Sequence, residues 1–314
     1  MKVQNKFPEG WEMKDIFEEV FLNRYGYYEL REKNSQEQRG QNFEENYFQN
    51  YNGSTYAKEY SPEELLFTQN KIAERYMLIN QNFQVLWGTV PSNYSLLDIG
   101  CGEGFLMQYF FEKGIRVKGI DFGSYAMEHF HPQLLPFLEK GEMESILPKL
   151  AERGETWDVI NMDRVLDMVT DAEKCVDMLR PLMTDRSLLV IKVANNYSHL
   201  QQALLKSGVL KKEYWLDKPD HTGYFNREGL CALLKEKGFE MVDFYGDTFV
   251  DFWLVNPWSN YYERSETGKE AHQATVYLEN LFHTCSIEDT LKVYRTLGNM
   301  GFGREIVGIF RKNQ

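Results

Sequence analysis

The sequence is short of what several protein classes require. It has four cysteines in 314 residues, Cys101, Cys175, Cys231 and Cys285, widely spaced and with no CxxC pair. That argues against a disulfide framework and a structural metal site, and buried thiols in a reducing compartment are expected. No apolar run approaches the length needed to cross a bilayer, so no membrane association is expected. The first residues, MKVQNKFPEGWEMKDIF, lack an apolar h-region, which predicts no signal peptide and a cytoplasmic location. Lys and Arg number 35 against 47 Asp and Glu, a net charge of -12, with no basic cluster to offset it. A nucleic-acid partner needs a cationic footprint and is excluded on that ground. There is no internal repeat and no low-complexity tract.

What is present is ordinary for a soluble enzyme, except for the aromatics. Hydrophobic residues make up 43% and aromatics 15%. Many aromatics lie in the first sixty residues and in YGDTFVDFWLVNPWSNYYE, where they can pack on a core or line a cleft. Four zones follow from the pattern. Residues 1–90 read as a helical and aromatic region capping a substrate. In it, SPEELLFTQNKIAERYMLINQNF predicts a helix with Ser61 as N-cap, Pro62 at its first position, Glu64 completing a capping box, and Leu65, Leu66, Ile72 and Tyr76 on its apolar face. Residues 91–245 alternate strands and helices, which predicts a mostly parallel sheet covered on both faces. Residues 246–303 read as an insertion shaping the cleft, and 304–314 as a last strand completing the sheet.

The strongest signal is LLDIGCGEGF, residues 96–105: a strand, Asp98, three alternating glycines and a helix. Glycines serve a sharp turn and a close ligand approach, and the helix start adds unsatisfied N–H groups. A dinucleotide site needs a third glycine where this chain has Phe105 or Met107, so that reading fails in both registers. A second strand ends at Asp121, about twenty residues on, where an acid can accept ribose hydroxyls.

This D-x-G-x-G-x-G pattern resembles motif I of class I S-adenosylmethionine methyltransferases. The resemblance implies a Rossmann-like α/β fold with a seven-stranded, mostly parallel sheet whose last strand is antiparallel. It implies S-adenosylmethionine as cofactor, with S-adenosylhomocysteine as product. It implies cofactor contacts from Asp98, Gly100, Cys101, Gly102, Gly104, Asp121, Phe122, Glu142, Met143 and Asp163. WDVINMDRVLDMV resembles a later motif of the family, but Asp167 and Met168 stand where Glu-His is common, which weakens a catalytic role there. KVANNYSHLQ, WLDKPDHTGYFNREGLCALLKEKGFEMVDFYGD and GNMGFGREIVGIFRK resemble bacterial methyltransferases associated with surface-polysaccharide and nucleotide-sugar biosynthesis. Ala194 departs from that group's usual Pro. The implied acceptor is a sugar, nucleotide-linked or a polysaccharide precursor. The alternatives are another small acceptor such as a quinone, phenol or amine, or a non-catalytic binding relative.

O-methylation needs a group that removes the hydroxyl proton, and histidine suits neutral pH. His221, in an aromatic loop beside Asp220, has the best context of the six histidines, with Asp220 as orienting group or base. His199 could face the cleft. His129 and His131 read as helix-end residues, and His272 and His283 as helix surface. Asn195, Asn196, Tyr197, Trp215 and Tyr224 are the expected substrate-binding residues. A diphosphate acceptor would need local compensation from Arg164, Lys192, Lys211, Lys212 or Arg227.

Overall fold

The structure, a computed structural model, describes residues 19–33, 59–216, 218 and 220–313. The aromatic stretch at 45–58 therefore lies outside the described residues. Val20–Leu22 (β1) and Tyr28–Leu30 (β2) pair antiparallel. Pro62–Trp87 (α1) begins with the expected capping box, in which Ser61 Oγ accepts from the Glu64 N–H at 3.2 Å and the Glu64 carboxylate accepts from the Ser61 N–H at 2.9 Å. Its buried face is set by Ile72, Leu78, Ile79 and Phe83, whereas Leu66 is exposed and Leu65 and Tyr76 are half-buried.

The core then alternates: Ser95–Ile99 (β3), Phe105–Glu112 (α2), Arg116–Asp121 (β4), Tyr125–Phe130 (α3), Leu138–Lys140 (β5), Met143–Glu152 (α4), Trp157–Asp163 (β6), Ala172–Leu179 (α5) and Met183–Ala194 (β7). There follow His199–Lys206 (α6), Gly223–Tyr224 (β8), Arg227–Glu236 (α7) and Phe239–Asp247 (β9). The chain ends with Gly268–Cys285 (α8), Ile287–Asn299 (α9) and Glu305–Lys312 (β10).

Seven strands form one sheet in the order β5-β4-β3-β6-β7-β10-β9. All pairs are parallel except those of β10, which is antiparallel to both neighbours. This is the expected Rossmann-like architecture, and the strand order reverses between β3 and β6, where open α/β sheets bind ligands. Alternation along the central strands divides the core. Leu97, Ile99, Ile160, Ile191 and Val193 face a layer holding Leu147, Val176 and Leu233. Leu96, Val159, Val190 and Ile309 face Leu78, Phe83, Phe110, Leu291 and Tyr294. Each such aliphatic side chain contributes roughly 1.5–3 kcal/mol of burial.

Two features differ from the sequence expectation. The described N-terminal residues include strands as well as a helix, because β2 pairs with β8 and extends a small sheet into the loop around His221. The segment between β9 and β10 is also more than a rim. Its α9 lies against β9 so closely that a Cβ on Gly298 would sit 2.4 Å from the Gly246 nitrogen, and Leu291 and Tyr294 enter the core. Among the described residues no helix is long and apolar enough to cross a membrane. Cys101 and Cys175 are buried thiols, whereas Cys231 is half-buried and Cys285 exposed.

Candidate functional site

The glycine turn leaves β3 and starts α2. Gly100 has φ +72, and a Cβ there would lie 2.3 Å from Val165 Cγ2, so the turn tolerates no side chain. Gly104, at φ +82, is the N-cap of α2. Three carboxylates surround this turn. Asp98 is 3% exposed and accepts a hydrogen bond from Asn161 Nδ2 at 2.7 Å. Burial pushes its pKa up to about 7 against the opposing Asn161 bond. Asp121 accepts from the Gly102 N–H at 2.8 Å and the Gly123 N–H at 3.3 Å. Burial raises its pKa while those backbone donors oppose the rise. Glu103 accepts from the Tyr60 hydroxyl at 2.7 Å, and burial lifts it to about 7 against that bond. Arg75 acts electrostatically on Asp98, and His129 on Glu103, to oppose the rise. Cys101 lies among them with its thiol raised well above its ordinary value by burial, then by Asp121 and Asp98, so it stays neutral.

A second cluster occupies the same edge of the sheet, at the ends of β6, β7 and β9 and the start of β10. Lys192 Nζ lies 2.7 Å from Glu305, 3.6 Å from Asp163 and 3.8 Å from Asp247. Burial would pull its pKa down, but the three carboxylates hold it above the usual lysine value. Burial likewise opposes ionisation of Glu305, and Lys192 and Arg164 overcome it, holding Glu305 well below the carboxylate range. Arg75 from α1 donates to Asp163 at 2.7 Å and to Asn161 at 3.2 Å. Behind these, Lys71 bonds Asp247 at 2.6 Å and also pairs with Glu279 and Glu74, and Glu74 pairs with His283. The expectation of a surface His283 is therefore corrected: it is buried against a buried glutamate.

Among the described residues, three that are not glycine adopt left-handed backbone conformations: Arg164, Tyr197 and Thr248, with φ of 57°, 53° and 51°. Arg164 directly follows β6, Thr248 directly follows β9, and Tyr197 lies three residues past β7. Such backbone costs of order 1–3 kcal/mol each and persists where the surroundings over-determine it, commonly at functional sites. Here it gathers on one edge of one sheet.

His221 sits at this edge, 9% exposed. Its loop is fastened by Thr222 N–H and Gly223 N–H donating to the Asp167 carbonyl at 2.9 and 3.1 Å, and by Leu30 N–H donating to the Thr222 carbonyl at 2.9 Å. Arg164 Nη2 lies 3.1 Å from His221 Nε2, and Asp167 Oδ2 lies 3.7 Å from the same nitrogen. Arg164 also bonds Asp167 at 3.2 Å and Glu305 at 2.8 Å.

A family model described as "Methyltransferase domain" matches residues 70–243, more than half of the chain. The chain belongs to that methyltransferase domain family. Among curated relatives, the "Ubiquinone biosynthesis O-methyltransferase" of Ruegeria pomeroyi is 29% identical over 159 residues, 49% of this chain and 63% of the relative. The chain thus spans under two thirds of that relative's length. The protein of the same name from Dinoroseobacter shibae is 27% identical over 188 residues, 57% of this chain and 71% of the relative. Of solved structures, a SAM dependent methyltransferase from Archaeoglobus fulgidus aligns with 80% of this chain and 95% of its own, at 17% identity and a TM-score of 0.48.

In this methyltransferase domain, the residues expected to touch a cofactor divide. Asp98, Gly100, Cys101, Gly102, Gly104 and Asp121 converge on the glycine turn, and Phe122 follows Asp121 directly. Glu142 is the N-cap position of α4, while Met143 is buried in the core. Asp163 closes β6 and is bound by Arg75. The expected acceptor-side residues are committed to internal contacts. Asn195 Nδ2 donates to the Gly301 and Gly303 carbonyls at 3.1 and 2.9 Å, and Asn196 Oδ1 accepts from Arg304 at 3.1 Å. Tyr197 packs between Tyr28 and Trp215, and the Tyr224 hydroxyl donates to the His221 carbonyl at 3.2 Å. All five are at most 4% exposed. Asp220 neighbours His221 in the chain, but the carboxylate that this geometry brings to Nε2 is Asp167. His199 donates Nδ1–H to the Met300 carbonyl at 2.9 Å. Glu103, Arg75 and Asp167 escaped the sequence reading as site residues. Glu103, inside the glycine turn, and Asp167, in the WDVINMDRVLDMV segment, left a local signal, whereas Arg75 left none.

Proposed function

We propose that the chain is an S-adenosylmethionine-dependent O-methyltransferase acting on a hydroxyl of a small, uncharged acceptor of phenolic or quinone-precursor type. The observation that carries the cofactor assignment is the carboxylate trio Asp98, Glu103 and Asp121 gathered around one glycine turn, each with its pKa raised by burial. Three carboxylates gathered at one turn disfavour a phosphate-bearing ligand and favour one with an ammonium and a sulfonium. These residues fit such a group: Asp98, Asp121 and the backbone of Gly100–Gly104 would hold it, with Glu142, Met143 and Asp163 beside them. When bound, it supplies a methyl carbon that the acceptor oxygen takes as the C–S electron pair stays on sulfur, leaving the hydroxyl proton for the protein to remove.

On the protein side, His221 takes that proton, and its 9% exposure limits competition from water. The uncharged acceptor follows from charge accounting. Arg164 and Lys192 are each held by carboxylates, Lys211 lies 3.4 Å from Glu263, Arg227 lies 3.8 Å from Glu228, and Lys212 lies over the Tyr262 ring. A nucleotide diphosphate finds little positive charge to meet it. The names carried by the curated relatives support a phenolic acceptor as well. An unphosphorylated sugar hydroxyl is the second reading, favoured by the hydrogen-bonding rim of Arg164, Lys192, Asp163 and Glu305.

The test is calorimetric binding of S-adenosylmethionine to the full chain, followed by incubation with catechols, free sugars and nucleotide sugars. Mass spectrometry reads the gain of one methyl. Methylation of a catechol supports the proposal. Methylation of nucleotide sugars alone overturns the acceptor, and absence of cofactor binding overturns the whole reading.

A further inference from the structure

Asn161 is a polar residue inside the buried strand β6, 1% exposed, and its side chain is bonded at both ends. Its Nδ2 donates to Asp98 Oδ1 at 2.7 Å, and its Oδ1 accepts from Arg75 Nη1 at 3.2 Å. A guanidinium has N–H donors and no acceptor, and it stays protonated in proteins. The amide therefore turns its oxygen to Arg75 and its NH2 to Asp98. Flipped, it would set N–H against N–H on one side and oxygen against carboxylate on the other. Strand pairing places Asp98 and Asn161 side by side in register on β3 and β6. Helix α1 brings Arg75 to the face that Leu96 and Val159 share with Leu78 and Phe83.

Packing alone does not explain an arginine there, since Leu78, Ile79 and Phe83 cover that face of the sheet from α1 with apolar side chains. Arg75 is 3% exposed, and a buried charge carries a heavy desolvation cost. Its Nε is buried with no hydrogen-bond partner among the described residues, which adds to that cost. Burial opposes its charge, and Asp163 at 2.7 Å overcomes it, with Tyr245 of β9 beside it. Asp163 has a second cation in Lys192, at 3.6 Å. What the guanidinium adds is its reach to Asn161.

Asp98 is faced by Asn161 and Asp163 from β6, Arg75 from α1, Asp121 from β4 and the Cys101 thiol in the glycine turn. Burial pushes Asp98 up to about 7; Asn161 opposes the rise, Asp163 adds to it, Arg75 opposes it and Asp121 adds to it. We propose that Arg75 is a positioning residue for the cofactor carboxylate: it locks the Asn161 amide so that Asp98 Oδ1 meets a donor, and so keeps Asp98 charged for the cofactor's ammonium. The relay runs Arg75 to Asn161 to Asp98, from a helix outside the glycine turn into the turn itself. The inference rests on the proposed reading of Asp98 as that carboxylate, but its main test needs no cofactor.

The test follows the Asp98 carboxyl by ¹³C NMR of the full chain with labelled aspartate, from pH 5 to pH 9, the signal being assigned by its loss in Asp98→Asn. Arg75→Met is expected to move the midpoint up by about one pH unit, and Asn161→Leu by about as much. Arg75→Lys keeps a cationic donor and is expected to move it less. In the Asn161→Leu background, where the relay is already cut, Arg75→Met is expected to add clearly less than it does alone. If Arg75→Met does not fold, Arg75→Gln, polar and uncharged, takes its place. An unchanged midpoint in the Arg75 variant, or full additivity of the two changes, overturns the proposal. Calorimetry with S-adenosylhomocysteine gives a second readout. Arg75→Met is expected to lose about fivefold in affinity at pH 7 and to approach wild type near pH 9, as Asp98 ionises. A loss equal at every pH marks a purely structural role and overturns the proposal. Failure of wild type to bind S-adenosylmethionine or S-adenosylhomocysteine would instead remove the cofactor reading, while the carboxyl titration still decides whether the relay exists.

Discussion

Replacing Asp98 by Asn should change how stability depends on pH, by an amount the structure sets. The Asp98 carboxyl has its pKa pushed up to about 7 by burial, from an ordinary aspartate value of 3.8. Between these values the folded chain binds more of a proton at this site than the unfolded chain does. Unfolding free energy therefore falls as pH rises through that window, by up to about 1.4 kcal/mol per pH unit. Integrating from pH 5 to pH 7 gives a loss of about 2 kcal/mol from this one group, on the order of 4 kcal/mol by the time it is fully ionised. Asparagine keeps the shape and never ionises. The assay is urea unfolding of both proteins at half-unit steps from pH 5 to pH 8.5. The quantity to follow is the difference between the proteins, since Glu103 and other groups titrate in both. Wild type should lose about 2 kcal/mol relative to Asp98→Asn between pH 5 and 7, and the trend should flatten above pH 8. Saturating S-adenosylmethionine should oppose the wild-type loss and do nothing for the variant. A pH-independent difference would refute the idea of a buried carboxylate awaiting a cation.

Lys71→Met strands Asp247 and Glu279 without their cation and should cost about 3–5 kcal/mol in urea unfolding at pH 7. Gly100→Ala forces a methyl into Val165 Cγ2 at 2.3 Å and a left-handed φ, so it should lower stability by about 1–3 kcal/mol, with partial recovery in Gly100→Ala/Val165→Ala on a melting curve. His221→Gln should leave S-adenosylmethionine affinity within about twofold of wild type in calorimetry while reducing turnover on the acceptor by about 10²–10⁴. Equal turnover would remove His221 as the base.

Much of the fold was legible because its signals are local. The Ser61 capping box, the strand before Asp98 and the glycine turn each lie within a few residues of chain. The α-helix from Ile287 to Asn299 and the strands at 20–30 were not recovered. Each depends on a partner far away, β9 for the first and β8 for the second. The same division runs through the site. Asp98 and Asp121 announce themselves by spacing. The group that meets Nε2 of His221 does not, since Asp167 is fifty-four positions earlier and only the sheet brings them together. Asn195, Asn196 and Tyr197 show what sequence leaves out: polar residues after a strand at this edge read as ligand contacts, and the fold shows that they also tie down the 301–304 turn and the Trp215 cluster.

The Gly246–Gly298 contact carries a mechanical consequence. Where two backbones touch without intervening side chains, no rotamer change can absorb relative sliding. Strand β9 and helix α9 must therefore travel as one rigid strut. Because β10 is zipped to β9 on one side and β7 on the other, that strut is welded to the middle of the sheet. An entrance for an acceptor that opens by swinging the β9–β10 segment away at α9 would have to tear main-chain hydrogen bonds. The 250–267 stretch between β9 and α8 is of the other kind: its 3₁₀ turns carry no strand ladder and are held by side-chain bonds such as Trp253 to Thr275 and Tyr261 to Asp251.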